Sequence, residues 1–316
     1  MLTVLSPGAK HRQLVSYENI AAVTSELGGA LQDVIIDNPA EGAYHAKLRI
    51  LQDRKLVSVD VCLCDAISVA LTAKVGIYVA PAVLLKAAEH AARGQWWLPV
   101  TASDSRRPSI EWWRSKGLKC EAADCGQPRA AQAFELCADG SPTRRLLLCK
   151  SHARWLIAKY ARECAQSKSR GVEEVNPEFR ISSVISIDDI DVGDVYLRAP
   201  DGSCYFLSAP KFQAWPLGWL LDNSLRGRRP LTHESMAAVI RQLGGSICEV
   251  AIDEPTQGEF CAALKIVQRE RLICFEVRPC EGIALALAAN IAIRLTPTAV
   301  LNGAHRASKR ICEIGS

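Results

Sequence analysis

Tyr44–Leu85 reads YHAKLRILQDRKLVSVDVCLCDAISVALTAKVGIYVAPAVLL, and Phe260–Leu301 reads FCAALKIVQRERLICFEVRPCEGIALALAANIAIRLTPTAVL. The two stretches align without a gap at an offset of 216 residues, and the match runs upstream to Glu18 and Glu234. Among the shared positions are Gly28-Gly29 with Gly244-Gly245, Asp37 with Asp253, Pro39 with Pro255, Cys64 with Cys280 and Pro81 with Pro297. Repetition of this kind is a statement about fold before it is one about function. Two copies so far apart imply duplicated domains and not a solenoid.

Within each copy the apolar spacing predicts the same order of elements. Ser16-Tyr17-Glu18 can cap a helix through Leu27, with Ile20, Val23 and Leu27 on one face and Gly28-Gly29 as its stop. Leu31–Asp37 reads as a strand. Ala43–Leu51 and Leu56–Cys62 read as a hairpin across Gln52–Lys55, and the alternation at His45–Ile50 marks a half-buried antiparallel sheet. A small-residue helix over Asp65–Lys74 follows, then a short strand at Gly76–Val79. Pro81 then opens a helix over Ala82–Ala92.

Between the copies, Ala92–Pro108 reads as a boundary carrying Trp96-Trp97. Ser109–Lys116 reads as a short helix and Ser151 to about Ser167 as a strong one. Upstream of the second repeat, Phe179–Ile187, Asp194–Arg198 and Cys204–Ser208 read as three strands. Lys211–Leu225 reads as a helix interrupted by Pro216. The second copy thus carries about fifty-five upstream residues that the first lacks.

The chain of 316 residues is 49% apolar and 23% charged, which allows two or three domains with cores. Its 13 cysteines sit mostly as single residues in apolar strands or helices, with no secretory leader before them; reduced thiols and a cytoplasmic location are expected. The longest largely apolar stretch, Ile283–Ile293, is too short to cross a bilayer. Net charge is +4, but Arg106–Arg170 holds 14 Lys/Arg against 6 Asp/Glu. That asymmetry points to an anionic partner, or to a solvated linker helix.

With the elements in place, the run GEFCAALKIVQRERLICFEVRPCEGIALALAANIAIRLTPTAVL and its flank RRPLTHESMAAVIRQLGG resemble the bifunctional nuclease family, named for activity on both DNA and RNA. The family pattern is an aromatic-led strand, then Asp-x-Arg-Pro-Ser-Asp-Ala opening a small-residue helix, then an Ile-Tyr/Phe-Val strand. The resemblance covers residues 14–92 as a truncated repeat and 173–306 as a complete domain, with 105–170 between them. It implies an α+β fold: two bifunctional-nuclease-like domains in tandem, bridged by a small zinc-ribbon-like segment and a helix. The repeats are expected to pair with each other, or the chain to form a homo-oligomer.

The resemblance carries its working residues over unevenly. In the second copy the pattern's first Asp is Glu276, its Arg-Pro is Arg278-Pro279, its Ser is Cys280 and its last Asp is Glu281. In the first copy Asp60 and Asp65 are retained, while Arg-Pro is Cys62-Leu63 and Ser is Cys64. The upstream Ile-Gly-x-x-Glu-Ala motif corresponds to Ser208–Ala214, with Gln213 where the glutamate would stand. Carboxylates holding Mg²⁺ or Mn²⁺, with an arginine on phosphate oxygens, are a minimal kit for phosphodiester hydrolysis. Asp60, Asp65, Glu276, Arg278 and Glu281 are the candidate catalytic residues, gathered where a strand hands over to a helix, whose N-terminus favours an anion. First-turn acids also simply complement a helix dipole. The expected function is a metal-assisted nuclease acting on DNA or RNA, or a nucleic-acid-binding or regulatory protein that keeps the nuclease fold.

A second signal lies between the copies. Cys120-x4-Cys125, a hairpin-like stretch with Asp139-Gly140, and Cys149-Lys150-Ser151-His152 before a helix resemble a treble-clef zinc knuckle. Cys120, Cys125, Cys149 and His152 would hold a structural Zn²⁺, with Cys137 as an alternative ligand. Arg144, Arg145, Lys150 and Arg154, with Lys159 and Arg162, suit phosphate contacts. No series of stacking aromatics accompanies them. Of the histidines, His233 reads as a capping residue at a helix start.

Overall fold

The computed structural model describes residues 16–37, 45–92, 118–136, 144–167, 178–188, 190–222, 232–256 and 259–315. The expected helix at 109–116, the Trp96-Trp97 pair and Cys137 lie outside them.

The first copy runs α1 (Ser16–Glu26), β1 (Ala30–Asp37), β2 (His45–Gln52), β3 (Lys55–Val61), α2 (Leu63–Ala73), β4 (Gly76–Val79) and α3 (Pro81–Ala92). Its four strands form a sheet in the order β3-β2-β1-β4, antiparallel except for the parallel β1–β4 pair. After the copy come β5 (Ala131–Glu135), β6 (Arg144–Leu148) and α4 (Lys150–Ser167). A meander follows, with β7 (Glu178–Ile187), β8 (Val192–Arg198), β9 (Cys204–Pro210) and α5 (Lys211–Leu221). The second copy then runs α6 (Thr232–Gln242), β10 (Ser246–Thr256), β11 (Glu259–Gln268), β12 (Arg271–Val277), α7 (Pro279–Ala289), β13 (Ile293–Leu295) and α8 (Pro297–Gly315).

Duplication holds down to irregularities. The second sheet repeats the order as β12-β11-β10-β13, with β10–β13 again parallel. The bulge between Leu31 and Asp33 recurs between Ile247 and Glu249. Both hairpins turn on two non-glycine residues with positive φ, Asp53-Arg54 and Arg269-Glu270, the backbone form whose twist suits flanking strands. Gly28 and Gly244 end α1 and α6 at φ +75° and +76°. Helices α2 and α7 end on left-handed Lys74 and Asn290. The next amides, Val75 and Ile291, bond back to Ala70 and Ala286.

The segment between the copies is less a bridge than an addition to the second sheet. Strand β7 is the branch point. Its start pairs with β13, its end pairs with β5 in the register Ala131↔Ile187 to Glu135↔Ser183, and its other edge carries β8 and then β9. A separate small core under this region joins Ala131, Ala133, Leu148, Leu156, Ile157 and Tyr160 to Ile185, Tyr196 and Phe206. Helix α8 closes it against α4 and β9.

The main core runs unbroken from one copy into the other, including Ile20, Leu27, Leu48 and Val59 with Met236, Val239, Leu264 and Ile283. Helices α1 and α6 meet, and α6 also lies on β3. The repeats therefore pair with each other within the chain. No helix among the described residues is long and apolar enough to cross a membrane.

Candidate functional site

The strand-to-helix junctions of the two copies lie at the seam between them. In the first copy Cys62 takes an extended conformation before α2, and its Sγ accepts a hydrogen bond from the Asp65 amide at 3.3 Å. Burial pushes the Cys62 thiol up to about 12, so it stays protonated. In the second copy Arg278 takes the same extended conformation and Pro279 starts α7. These local geometries set Asp65 and Glu281 in the first turn of their helices.

Both acids face the opposite copy and not the solvent. Asp65 is 4% exposed and Glu281 6%. Thr232 Oγ1, at the start of α6, donates to Asp65 Oδ1 at 2.7 Å. Asn19 Nδ2, on α1, donates to Glu281 Oε2 at 3.1 Å. The arrangement is a swap in which each copy's first helix holds the other copy's acid. Glu281 is also ion-paired with Arg278 three residues before it. Burial pushes the Asp65 carboxyl up, while the neighbouring Cys62, Thr232 and Ser235 side chains pull it back.

His233 sits in the same seam, 8% exposed, and neither ring nitrogen has a hydrogen-bond partner among the described residues. It is a buried neutral imidazole and not the capping residue expected at a helix start. Burial depresses its pKa to about 4, with Glu281 raising it and Arg278 lowering it further.

The remaining acids stand apart. Asp60 is exposed on β3, opposite Lys47 in the register, and Glu276 is half-buried on β12 opposite Ala263. Asp60, Asp65, Glu276 and Glu281 do not form a group of three or more ligand atoms close enough to share a metal ion. Among the described residues the one such group is Cys120, Cys125, Cys149 and His152.

That quartet has the dimensions of a closed tetrahedral site. All four ligand atoms lie within 4.8 Å of one another. Cys125 Sγ and Cys149 Sγ are 3.9 Å apart, and His152 Nδ1 is 3.4 Å from Cys120 Sγ and 3.3 Å from Cys149 Sγ. A tetrahedron with metal–sulfur bonds of about 2.3 Å has edges of about 3.8 Å. Local structure explains the convergence. The Lys119–Pro128 bridge and the left-handed Asp124 turn bring Cys120 and Cys125 together. Helix α4, starting at Lys150, presents His152 one turn from Cys149. Burial alone pushes the Cys149 thiol up, but hydrogen bonds from the His152 backbone and ring and from the neighbouring thiols bring it down to about 7. The group can hold a metal ion.

Beyond this quartet, α4 turns one face to solvent. Arg154, Trp155, Lys159 and Arg162 are all exposed, and helical spacing sets them on one side, opposite the buried Ala153, Leu156, Ile157 and Tyr160. Trp155, 59% exposed among cations, was not anticipated; in the sequence it reads as one more apolar position beside Leu156. Lys150 is exposed at the helix start, Arg144 is on strand β6, and Arg145 lies 3.7 Å from the buried Asp222 carboxylate.

The bifunctional nuclease domain model matches residues 6–92 and 214–308, more than half of the chain, once in each copy. No curated protein is similar enough to count as a match.

Proposed function

This chain belongs to the bifunctional nuclease domain family, and from that premise we propose that it binds DNA or RNA through the basic, tryptophan-bearing face of α4. The observation that carries the reading is the exposed set Arg154, Trp155, Lys159 and Arg162 on one helix face. Guanidinium and ammonium groups neutralise phosphates, and an indole among them offers a stacking surface that any base accepts. Lys150, exposed at the cysteine-rich end of the helix, extends the positive field. Cys120, Cys125, Cys149 and His152 hold a structural Zn²⁺ in this reading. Four protein ligands leave no open coordination position, so the ion orders the start of α4 and takes no part in chemistry. The paired copies form the platform, with Asp65 and Glu281 spent on holding them together.

Phosphodiester hydrolysis assisted by Mg²⁺ or Mn²⁺ is the second reading. The observation favouring it is Asp60, which stands exposed at the end of β3 beside the strand-to-helix junction. Glu276 is its counterpart in the other copy, and Arg278 stands where the first copy has Cys62.

Fluorescence anisotropy with labelled single-stranded DNA and RNA tests the binding reading. The expected result is binding that weakens steeply with salt. The R154A/K159A/R162A variant is expected to lower the steepness by up to about three phosphate equivalents. Trp155→Ala should cost about 1–3 kcal/mol. Affinity and salt slope unchanged in these variants would remove the proposal. Incubating the same substrates with Mg²⁺ or Mn²⁺, with Arg278→Ala and Asp60→Asn as controls, decides on cleavage.

A further inference from the structure

Helix α4 carries one tryptophan and one tyrosine, and only the tryptophan is open to a ligand. Tyr160 is 9% exposed, and its hydroxyl donates to Glu135 Oε1 at 2.7 Å, so its ring belongs to the small core beneath the helix. Trp155 is 59% exposed.

The cations around the indole form a single row. Lys159 and Arg162 follow Trp155 at four and seven residues, the spacing that lines side chains up along one face of a helix. Arg154 stands beside the indole, and Lys150 lies one turn before Arg154. The Lys159 ammonium is 5.5 Å from the Tyr160 ring centre, which holds it close to the helix surface. The rest of the helix surface adds no second row. Glu163, next to Arg162, is ion-paired with Arg198 of β8, and the exposed Ser151 and Gln166 carry no charge. At about 1.5 Å per residue, the row from Arg154 to Arg162 is about 12 Å long.

That geometry separates the forms a nucleic acid can take. In a duplex each base is covered on both faces by its neighbours, and only its edges reach a groove. An indole gains no stacking from a base that is already stacked. A duplex also presents two phosphate rows, of which this face can meet one. An unpaired strand matches on both counts. A splayed base can lie on the indole while phosphates further along the same strand reach Lys159 and Arg162.

We propose that α4 selects unpaired over duplex nucleic acid, holding a single-stranded segment of DNA or RNA with one base on Trp155 and the strand's phosphates along Lys159 and Arg162. At about 3.4 Å per nucleotide, the row accommodates about four nucleotides. The inference rests on the reading of α4 as the nucleic-acid face, and adds which form is bound and the residue that makes the choice. The cations draw any polyanion to the helix, and the indole rewards only a strand with a free base face.

Competition against a labelled single strand tests this on the full chain. The competitors are the unlabelled single strand, the blunt duplex of the same sequence, and a strand of abasic sites that keeps the phosphates and lacks the bases. The single strand should compete best, with the duplex and the abasic strand weaker by roughly 5- to 150-fold, the range that one stacked base supplies. Trp155→Ala should bring the single strand down to the level of the other two. Trp155→Phe, which keeps a ring, should restore most of the preference. Equal competition by strand and duplex, or a preference that survives Trp155→Ala, would overturn the proposal. The R154A/K159A/R162A variant then tells the two readings apart. Weaker binding of every form would leave α4 as the interface without the selectivity, and unchanged binding would remove both.

Discussion

Gln52 and Gln268 donate through their side-chain amides to the same two acceptors, the carbonyls of Leu27 and Leu243. The four distances are 2.8 and 3.0 Å from Gln52, and 2.9 and 2.8 Å from Gln268. Those carbonyls end α1 and α6, where helices leave acceptors without intrahelical partners. Each glutamine sits just before a hairpin turn, so one polar residue per copy ties both helix ends together across the seam.

Because each carbonyl has two donors, losing one glutamine leaves neither orphaned. Gln52→Ala or Gln268→Ala alone should cost about 0.5–1.5 kcal/mol. The double variant strands both carbonyls and should cost more than the sum of the single losses. Urea denaturation of the two single variants and the double variant measures the coupling, and simple additivity would speak against shared acceptors.

The fully buried Glu254 is ion-paired with Arg306 of α8, whose guanidinium also donates to the Phe206 carbonyl and lies 4.5 Å from the Phe260 ring centre. Removing the cation leaves a buried charge behind, so Arg306→Met is expected to destabilise by about 3–5 kcal/mol. Glu254→Gln in the same chain should recover much of that. Thermal or chemical unfolding of the single and double variants checks it.

His233 makes stability fall on acidification. Its pKa in the folded chain is about 4 against 6.5 for the free side chain, so the unfolded state takes up the proton first. Stability is therefore full above about pH 6.5 and is lost as the pH drops towards 4, by on the order of 3 kcal/mol. Glu281 and Arg278 face the ring and set the remainder of the field. His233→Leu should flatten this limb relative to wild type. Unfolding midpoints measured from pH 7 to 4 read it directly, and parallel curves would refute the assignment.

Metal content gives a fourth check. Elemental analysis should find about one Zn²⁺ per chain, and Cys149→Ser should lower it sharply. Chelation should expose the core beneath α4, raising protease sensitivity there before the paired copies are affected. A chain that carries no metal, and whose α4 is equally protected with chelator, would overturn this.

Much of the architecture was legible because the repeat is gapless: one alignment fixes hairpins and helix stops in both copies at once. The ligand quartet was legible from spacing, since two turn cysteines and a Cys-x-x-His at a helix start have few other ways to converge. The fate of Asp65 and Glu281 was not. A first-turn acid has the same local pattern whether it meets water, a phosphate or an asparagine from another domain. Only the docking of α1 and α6 decides, and no local signal encodes it. Strand β5 was equally opaque, because its sequence says nothing of its pairing with β7 some fifty residues on. Trp155 was hidden by apolar neighbours, and helical phase alone separates it from Leu156.

The tandem arrangement has a consequence for how the halves can change. Joined by one backbone, they meet at an effective concentration that no dilution lowers. A self-assembling pair must also present the same residue on both sides of its axis, whereas here a histidine, a threonine and an asparagine each occur on one side only. Covalent linkage has released the two faces from having to match, and each is free to acquire its own chemistry while the other keeps the assembly whole.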